Sequence, residues 1–576
     1  MWVSNEFDAT LRRIDPQTAR VDRTVHLGSS PRGMVVAGSG VWVAARPFTA
    51  ASHQGGTLTA VSDLPSVADP TLAYDQVSIP VLATVYDSLT ALRRSGGAAG
   101  LTLVPDLAIR LPRPADGGRT YRFTLRRGIR YSNGVALRAS DIRRGIQRQL
   151  INGHVAAIPN YYDGIPGASA CRQHPRRCDL SAGIVTDDAA GTVTFHLTQA
   201  DPDFLYKLTG SFVAPAPPGT RDGVISRTPF LPGTGPYMIS QFRPNESVTL
   251  VRNPYFRQWS YAAQPAGYPS VIRYVRMAGL SRQEAAVNAG RADLALLLFG
   301  DDGSLAVRYP ARVHVGLRLG TGYASLNTRL PPFTNIKARQ AVNYAIDRAR
   351  IIQLDDDAPG EDTAACQMLP PDFPGYQGYC PYTTGAGDGA WHGPDMAKAL
   401  RLVRESGTTN APVTVWSFNN GAGKALGSYL VELLDDLGYR ASLHAVSDDR
   451  FWADLYDPRL KIQVSVGAGW GADFPSPSTF FGPLLSCQSA DEPVTNNWAR
   501  FCDPHVDALT SQAQAAQLTD PAAARRLWAQ ADRIVTDQAP YVPLDNGGAA
   551  GFVSSRAGNY QESPVYGPLL DQMWVR

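Results

Sequence analysis

The 576-residue chain lacks any apolar run long enough to span a membrane, and it opens without a charged-then-apolar leader. Read as written, nothing in it directs export. Neither sign of charge is in excess. A net charge of +3 is negligible at this length and excludes the concentrated basic footprint of a nucleic-acid binder. The densest basic stretch, Arg126 to Arg148, is threaded at helical spacing by Ile142, Ile146 and Leu150, so its arginines read as a solvated helix face. Catalytic signatures are missing as well: there is no GxSxG or HExxH motif, and nine histidines are scattered without a constellation. Asn420-Gly421-Ala422-Gly423-Lys424 is not a phosphate loop, because Ala425 stands where a Ser or Thr would hold magnesium. No enzyme and no cofactor are expected.

Cysteine is scarce but patterned. The six fall into close pairs, Cys171 with Cys178, Cys366 with Cys380 and Cys487 with Cys502, each flanking a polar or Pro/Gly-rich loop. They read as local disulfides, although spacing alone does not prove connectivity. A zinc site built on Cys171, His174 and Cys178 would lack a fourth local ligand. Three disulfides imply an oxidising compartment. The chain therefore reads as extracytoplasmic, at the cell surface or in a periplasmic space, with its export signal expected upstream of Met1.

The length calls for two or three lobes, and apolar and charged fractions of 44% and 18% are those of a soluble globular protein. Residues 1–46 stand apart. Trp2-Val3 recurs as Trp42-Val43, with Ile14-Asp15-Pro16 and Gly28-Ser29-Ser30-Pro31-Arg32-Gly33 between them. A strand-turn-strand texture with a period near forty is that of a propeller blade. These residues resemble YVTN-type β-propeller repeats, about one blade of them. The expectation is a partial repeat in the C-terminal part of a longer protein; a short β-hairpin packed on the main body is the alternative. Residues 47–56 read as a linker.

The main body begins with alternating apolar runs at Tyr121–Leu125, Thr192–Leu197 and Ser247–Leu250, a mixed α+β texture. Ser140 reads as the N-cap of the helix carrying Ile142. Later, Ala338, Ala341, Val342, Ala345, Ile346 and Ile352 give a helical face. From 412 the order is strand (Val413–Phe418), helix (Leu426–Leu437), strand (Ala441–Val446), short helix, strand (Ile462–Val466), a βαβαβ run suggesting a parallel sheet. Glycines then bracket Trp470 and prolines follow Asp473, so the strand is expected to break into a loop there. A carboxylate and an indole at a strand end suit a ligand. The bland alternative has Asp473 capping loop amides and Trp470 as buried filler. Asp520-Pro521 reads as the start of a C-terminal helix.

Five blocks in order carry a resemblance: Val104–Ala108 with Phe123–Gly134 and Ala139–Ile142; Gly233-Thr234-Gly235-Pro236-Tyr237 with Arg252–Phe256; Asn327 with Pro331–Phe333; Arg339–Arg348; and the Trp470–Phe481 loop leading to Cys487 and Cys502. Over residues 57–576 the chain resembles the family 5 extracellular solute-binding proteins, the receptors of peptide and nickel ABC importers. The resemblance implies an α/β, two-lobed periplasmic-binding-protein fold (Venus-flytrap, class II, cluster C) with a hinge. Lobe I would comprise 57–318 and a return at 545–576, and lobe II 319–544. It implies a monomeric receptor that captures di- or oligopeptide-like solutes between its lobes and hands them to an ABC permease, without catalysis. A ligand-sensing module of a larger signalling protein, and a binder of nickel, a metallophore or another polar solute, are the alternatives.

In peptide-binding members the aspartate of the tryptophan-x-x-aspartate loop pairs with the substrate's α-ammonium. Asp473 occupies that position, and Trp470 would add an apolar or cation–π wall. A carboxylate in a closing, low-dielectric cleft attracts an ammonium strongly and rejects neutral ligands that leave it unpaired. One departure concerns the loop after Val413–Phe418, which carries a carboxylate-clamping arginine in dipeptide-binding relatives. Here it reads Asn419-Asn420-Gly421-Ala422-Gly423-Lys424, with no arginine. Lys424 cannot form a bidentate fork and reads as a solvated helix-start lysine. Asn419 and Asn420 either bond a peptide backbone or serve the turn. The Gly233–Tyr237 block reads as structural, with Tyr237 near the cleft. Ligand size depends on loops near 160–180 and 360–395.

Overall fold

The computed structural model describes residues 2–5, 10–15, 18, 21–26, 31–37, 40–45, 53–64, 66–153, 161–297, 303–317, 319–355, 362–371, 373–457 and 459–576. At the N-terminus, strands β1 (Trp2–Asn5), β2 (Thr10–Ile14) and β3 (Val21–His26) form an antiparallel sheet, and β4 (Pro31–Ala37) and β5 (Gly40–Ala45) form a hairpin. Of the linker expected at 47–56, residues 47–52 lie outside the described residues. Its last residues are docked on the body: the His53 and Trp574 rings lie 4.6 Å apart, and Gly55 N donates to the Tyr268 carbonyl at 2.9 Å.

Two lobes follow, each built on one sheet. The first sheet has seven strands, ordered β12 (Tyr237–Arg243), β13 (Ser247–Arg252), β14 (Val271–Arg276), β6 (Thr57–Ser62), β15 (Leu294–Leu297), β23 (Gly548–Val553), β16 (Val313–Leu317). Its centre is parallel (β14, β6, β15) and its flanks are antiparallel. Central β6 is covered on both faces. Leu58 and Ala60 enter one core with Tyr237 and Ile272, while Val61 enters another with Ala295 and Phe552. That fits its apolar residues Leu58, Ala60 and Val61, which serve cores on both faces.

A smaller unit grows from this lobe. The short pair β7 (Thr90–Leu92) and β8 (Leu103–Pro105) leads to a three-stranded antiparallel sheet of β9 (Thr120–Thr124), β10 (Ile184–Asp187) and β11 (Thr192–His196). It packs against the helix Ala139–Asn152, whose Ile142, Ile146 and Leu150 meet Tyr121, Phe123 and Phe195. The expected Ser140 cap is corrected here. The N-cap is Arg138, whose backbone N–H donates to the Asp141 carboxylate at 3.0 Å, while the Ser140 hydroxyl is drawn to Asp188 at 2.9 Å.

The second sheet is ordered β18 (Thr363–Ala364), β22 (Tyr541–Asn546), β17 (Gly320–Leu326), β21 (Val464–Gly471), β19 (Pro412–Phe418), β20 (Arg440–Val446). The βαβαβ reading appears as β19 parallel to both β20 and β21, with the helix Gly421–Asp436 between β19 and β20. The chain passes from first sheet to second between Leu317 and Gly320, and back between Asn546 and Gly548. Two neighbouring crossings suit a hinge.

One expectation fails in an instructive way. The glycines around Trp470 do not end the strand: β21 continues through Gly471, because Gly469, Trp470 and Gly471 pair with Gly322, Thr321 and Gly320 of β17. Behind the sheet, the helices Pro504–Gln517 and Pro521–Gln538 are capped by Asp503 and Asp520. Asp520 accepts from the Ala522 and Ala523 amides at 3.1 and 2.9 Å, as the Asp-Pro start implied. All six cysteines are disulfide-bonded: Cys171–Cys178, Cys366–Cys380 and Cys487–Cys502. The first bond commits two of the three groups weighed as zinc ligands.

Candidate functional site

Asp473 leaves the second lobe two residues beyond β21, its approach fixed by the Ala472 amide donating to the Leu319 carbonyl at 2.7 Å. Its carboxylate does not turn back to cap the loop. Oδ1 accepts the Tyr74 hydroxyl and Oδ2 the Tyr161 hydroxyl, both in short contacts. Both tyrosines belong to the first lobe, so the two bonds cross the seam between lobes. Burial pushes the Asp473 carboxyl above its usual range, and the two phenol bonds pull it partly back. The same burial, then the Asp473 charge, push both phenols upward, so they remain protonated donors. The arrangement is a carboxylate whose lone pairs point at the opposite lobe and accept two hydrogens from it. Any group that brings hydrogens on a positive charge can take the phenols' place and gain a charge-assisted bond.

Around this point the seam is aromatic and acidic. The Phe474 ring stacks on Tyr206 of the first lobe (5.8 Å between centroids, 6° between planes) and meets Tyr161 edge-on at 5.7 Å. Asp203, buried in the first lobe, accepts from two second-lobe groups: the Ser478 hydroxyl at 2.6 Å and the Gln517 amide at 2.7 Å. Burial raises the Asp203 carboxyl, opposed by the Ser478 bond. Lys207, paired with Asp201 at 2.6 Å, lies 5.9 Å from the Tyr161 ring.

The other expected site residues scatter. Trp470 is three residues before Asp473 in sequence, but its indole N–H is used to bond the Thr479 carbonyl at 2.8 Å, bracing the loop that carries Asp473. Asn420 caps the helix Gly421–Asp436 by accepting from the Gly423 amide at 2.8 Å, and the Asn419 amide donates to Val446 at 2.7 Å. Both side chains are exposed, as is Lys424 in that helix's first turn. Tyr237 is fully buried in the first lobe's core; its hydroxyl donates to the Pro269 carbonyl at 2.8 Å and its ring lies under Arg252. The structural reading of its motif follows from steric fit, since a Cβ at Gly233 would sit 2.0 Å from the Val85 carbonyl. The structure thus brings Asp473 and the Trp470 brace together, and leaves Asn419, Asn420 and Tyr237 out of the Asp473 cluster. Two hollows, of about 570 Å³ beside His314 and Tyr560 and about 380 Å³ beside Arg252, are lined by first-lobe residues and not by Asp473.

Sequence reasoning missed Tyr74, Tyr161 and Asp203. None stands in a motif. The only available signal was the 160–180 stretch, flagged for ligand size, and Tyr161 lies at its start.

Two lobes on two sheets, joined by paired crossings and meeting at an interlobe carboxylate, define a solute-binding protein of the periplasmic type. The chain belongs to family 5 of the bacterial extracellular solute-binding proteins: that family's "Middle" model matches residues 102–492. Among relatives, a probable di/tripeptide-binding protein 5 of Pseudomonas aeruginosa is 26% identical over 492 residues, covering 80% of this chain and 85% of the relative. The glutathione-binding protein GsiB of Escherichia coli K12 is 24% identical, with 83% and 86% covered. In fold, the chain resembles the clavulanic acid biosynthesis oligopeptide binding protein 2 (TM-score 0.81, 23% identity, 91% and 96% covered). It also resembles the Helicobacter pylori protein DppA in complex with the peptide STSA (TM-score 0.70, 20% identity, 91% and 98% covered).

Proposed function

We propose that this protein is an extracytoplasmic receptor for short peptides with a free N-terminus, held between lobe I (57–318 and 545–576) and lobe II (319–544) and passed to an ABC-type permease. The observation that carries the reading is the Asp473 carboxylate, which faces the opposite lobe and receives two hydrogen-bond donors from it. A peptide's α-ammonium supplies the same hydrogens with a full positive charge. It would displace the Tyr74 and Tyr161 phenols and leave them to stack on the ligand or accept from it. Closure can be driven only by contacts that improve on closing, and an ammonium pair sealed in the seam does so. Trp470 acts by bracing the loop. The relatives' peptide and glutathione ligands share a free amine, in keeping with this chemistry. Three disulfides agree with a place outside the cytoplasm.

A thermal-shift screen of the oxidised protein against di-, tri- and tetrapeptides tests the reading. Binding raises the melting temperature with occupancy, and the rise is expected to vanish in Asp473→Asn. Equal shifts in wild type and variant would confine Asp473 to a structural role.

A further inference from the structure

The second lobe carries an anomaly next to the Asp473 seam. Tyr323, on β17, and Trp498, inside the loop closed by Cys487–Cys502, are 1% and 7% exposed. The Tyr323 hydroxyl and the Trp498 indole N–H have no hydrogen-bond partner among the described residues. Their rings lie 6.2 Å apart, in one aromatic cluster with Trp452 (5.9 Å from Trp498), Tyr456 (6.3 Å) and Tyr541 (4.8 Å from Tyr323). Buried donors are nearly always satisfied, and each left without an acceptor costs free energy. The neighbours show the contrast: Tyr541 bonds the Leu484 carbonyl at 3.1 Å and Tyr456 bonds Asn496 at 2.8 Å.

This cluster is not sealed inside one lobe. Leu101 and Val565, from chain segments belonging to the first lobe, pack against the larger second-lobe core of which Tyr323, Trp498 and Tyr541 are part. Tyr456 stands near enough to Tyr74 to disfavour its ionisation, alongside the larger effects of burial and Asp473. Opening of the lobes would therefore uncover its edge beside the carboxylate that meets the ligand's amine. On the other side, β17 pairs directly with β21, Tyr323 opposite Ala468, so the unpartnered hydroxyl sits on the strand neighbouring the one that delivers Asp473.

We infer that Tyr323 and Trp498 form an acceptor-binding subsite of the cleft, which takes a main-chain carbonyl oxygen of the bound peptide and packs the adjoining apolar or aromatic side chain against the cluster. The inference rests on the peptide reading above. Two neutral donors among aromatic faces complement an uncharged oxygen. They offer nothing to a cationic side chain beyond a ring face, and they disfavour a carboxylate, which would be desolvated without a counter-charge. The subsite would supply the orienting contacts that the missing arginine of the Asn419–Lys424 loop does not.

The test is calorimetric titration of wild type, Tyr323→Phe and Asp473→Asn with the tripeptides Ala-Ala-Ala, Phe-Ala-Ala and Glu-Ala-Ala. Tyr323→Phe keeps the ring and removes only the hydroxyl. It is expected to weaken Phe-Ala-Ala binding by about tenfold, while the ligand-free melting temperature stays level or rises, because an unsatisfied group has been deleted. A second readout uses the Trp498 indole N–H resonance, assigned by its loss in Trp498→Phe. It should move downfield when Phe-Ala-Ala is added to wild type. A lower melting temperature in Tyr323→Phe with unchanged affinity, or a resonance that does not move on saturation, would overturn the subsite while leaving the peptide reading intact. Failure of wild type to bind any of the three would overturn both.

Discussion

Two carboxylates reach across the seam in opposite directions. Asp473 extends from the second lobe and is met by two phenols of the first; Asp203 extends from the first lobe and is met by Ser478 and Gln517 of the second. Burial raises both. They differ in what holds them. Asp203 is 2% exposed and bonded to a hydroxyl beside it on the same loop system as Asp473 and to a helix-borne amide. Asp473 keeps part of its surface open, and its partners are phenols at the ends of long side chains, which a ligand's ammonium can replace. One carboxylate is suited to reading the ligand and the other to fastening the closed form. Proximity to the seam alone would not have told them apart.

The comparison can be broken at either end. Asp473→Asn removes the charge the ammonium needs and should cost about 3 kcal/mol, a hundredfold or more in peptide affinity. Asp203→Ala should weaken all peptides by a similar factor of about ten, leaving their order unchanged, because it lowers the stability of closure rather than a ligand contact. Ser478→Ala, which removes one of the two fastening bonds, should cost about 1 kcal/mol, a few-fold in affinity. If Asp203→Ala changed the preference among peptides, the division of labour would be wrong.

The pH dependences should have opposite signs. A carboxyl raised in the closed form holds its proton more tightly there, so its contribution to closure is full at low pH and is lost as pH rises through the raised value. Asp203 should therefore make ligand-free closure, followed by small-angle scattering, more favourable in acid. The ammonium pair needs Asp473 ionised, so peptide affinity should fall as pH drops through its raised range. Asp532, sealed in the second lobe against Gln367 and pushed up to about 7 by burial, supplies a control far from any ligand argument. Its contribution to global stability should be lost as pH rises from about 4 to about 7 and level off above that, seen as a falling melting temperature over that range that flattens in Asp532→Asn.

Much of this was legible in the chain, for identifiable reasons. The βαβαβ order from 412 was readable because apolar periodicity is local, and Asp520-Pro521 because capping is local. Asp473 was readable because its loop carries a motif. The continuation of β21 through Gly469–Gly471 was not, since those glycines are accommodated by glycines of β17 some 150 residues earlier in the chain. Tyr74 and Tyr161 were not readable either: they are bonded to a residue 399 and 312 positions away, and a tyrosine outside a motif carries no sign of its partner. For Asn419 and Asn420 the sequence left two roles open, and the structure displays the turn role: Asn420 caps a helix start and the Asn419 backbone N–H bonds Val446.

The most direct measurement is calorimetric titration of the wild-type protein with one peptide in two forms, free and N-acetylated. If Asp473 reads the α-ammonium, the free peptide binds and the acetylated form loses at least about a hundredfold, matching Asp473→Asn titrated with the free peptide. Equal affinity for the two forms would contradict the assignment of Asp473 as the residue that reads the ligand.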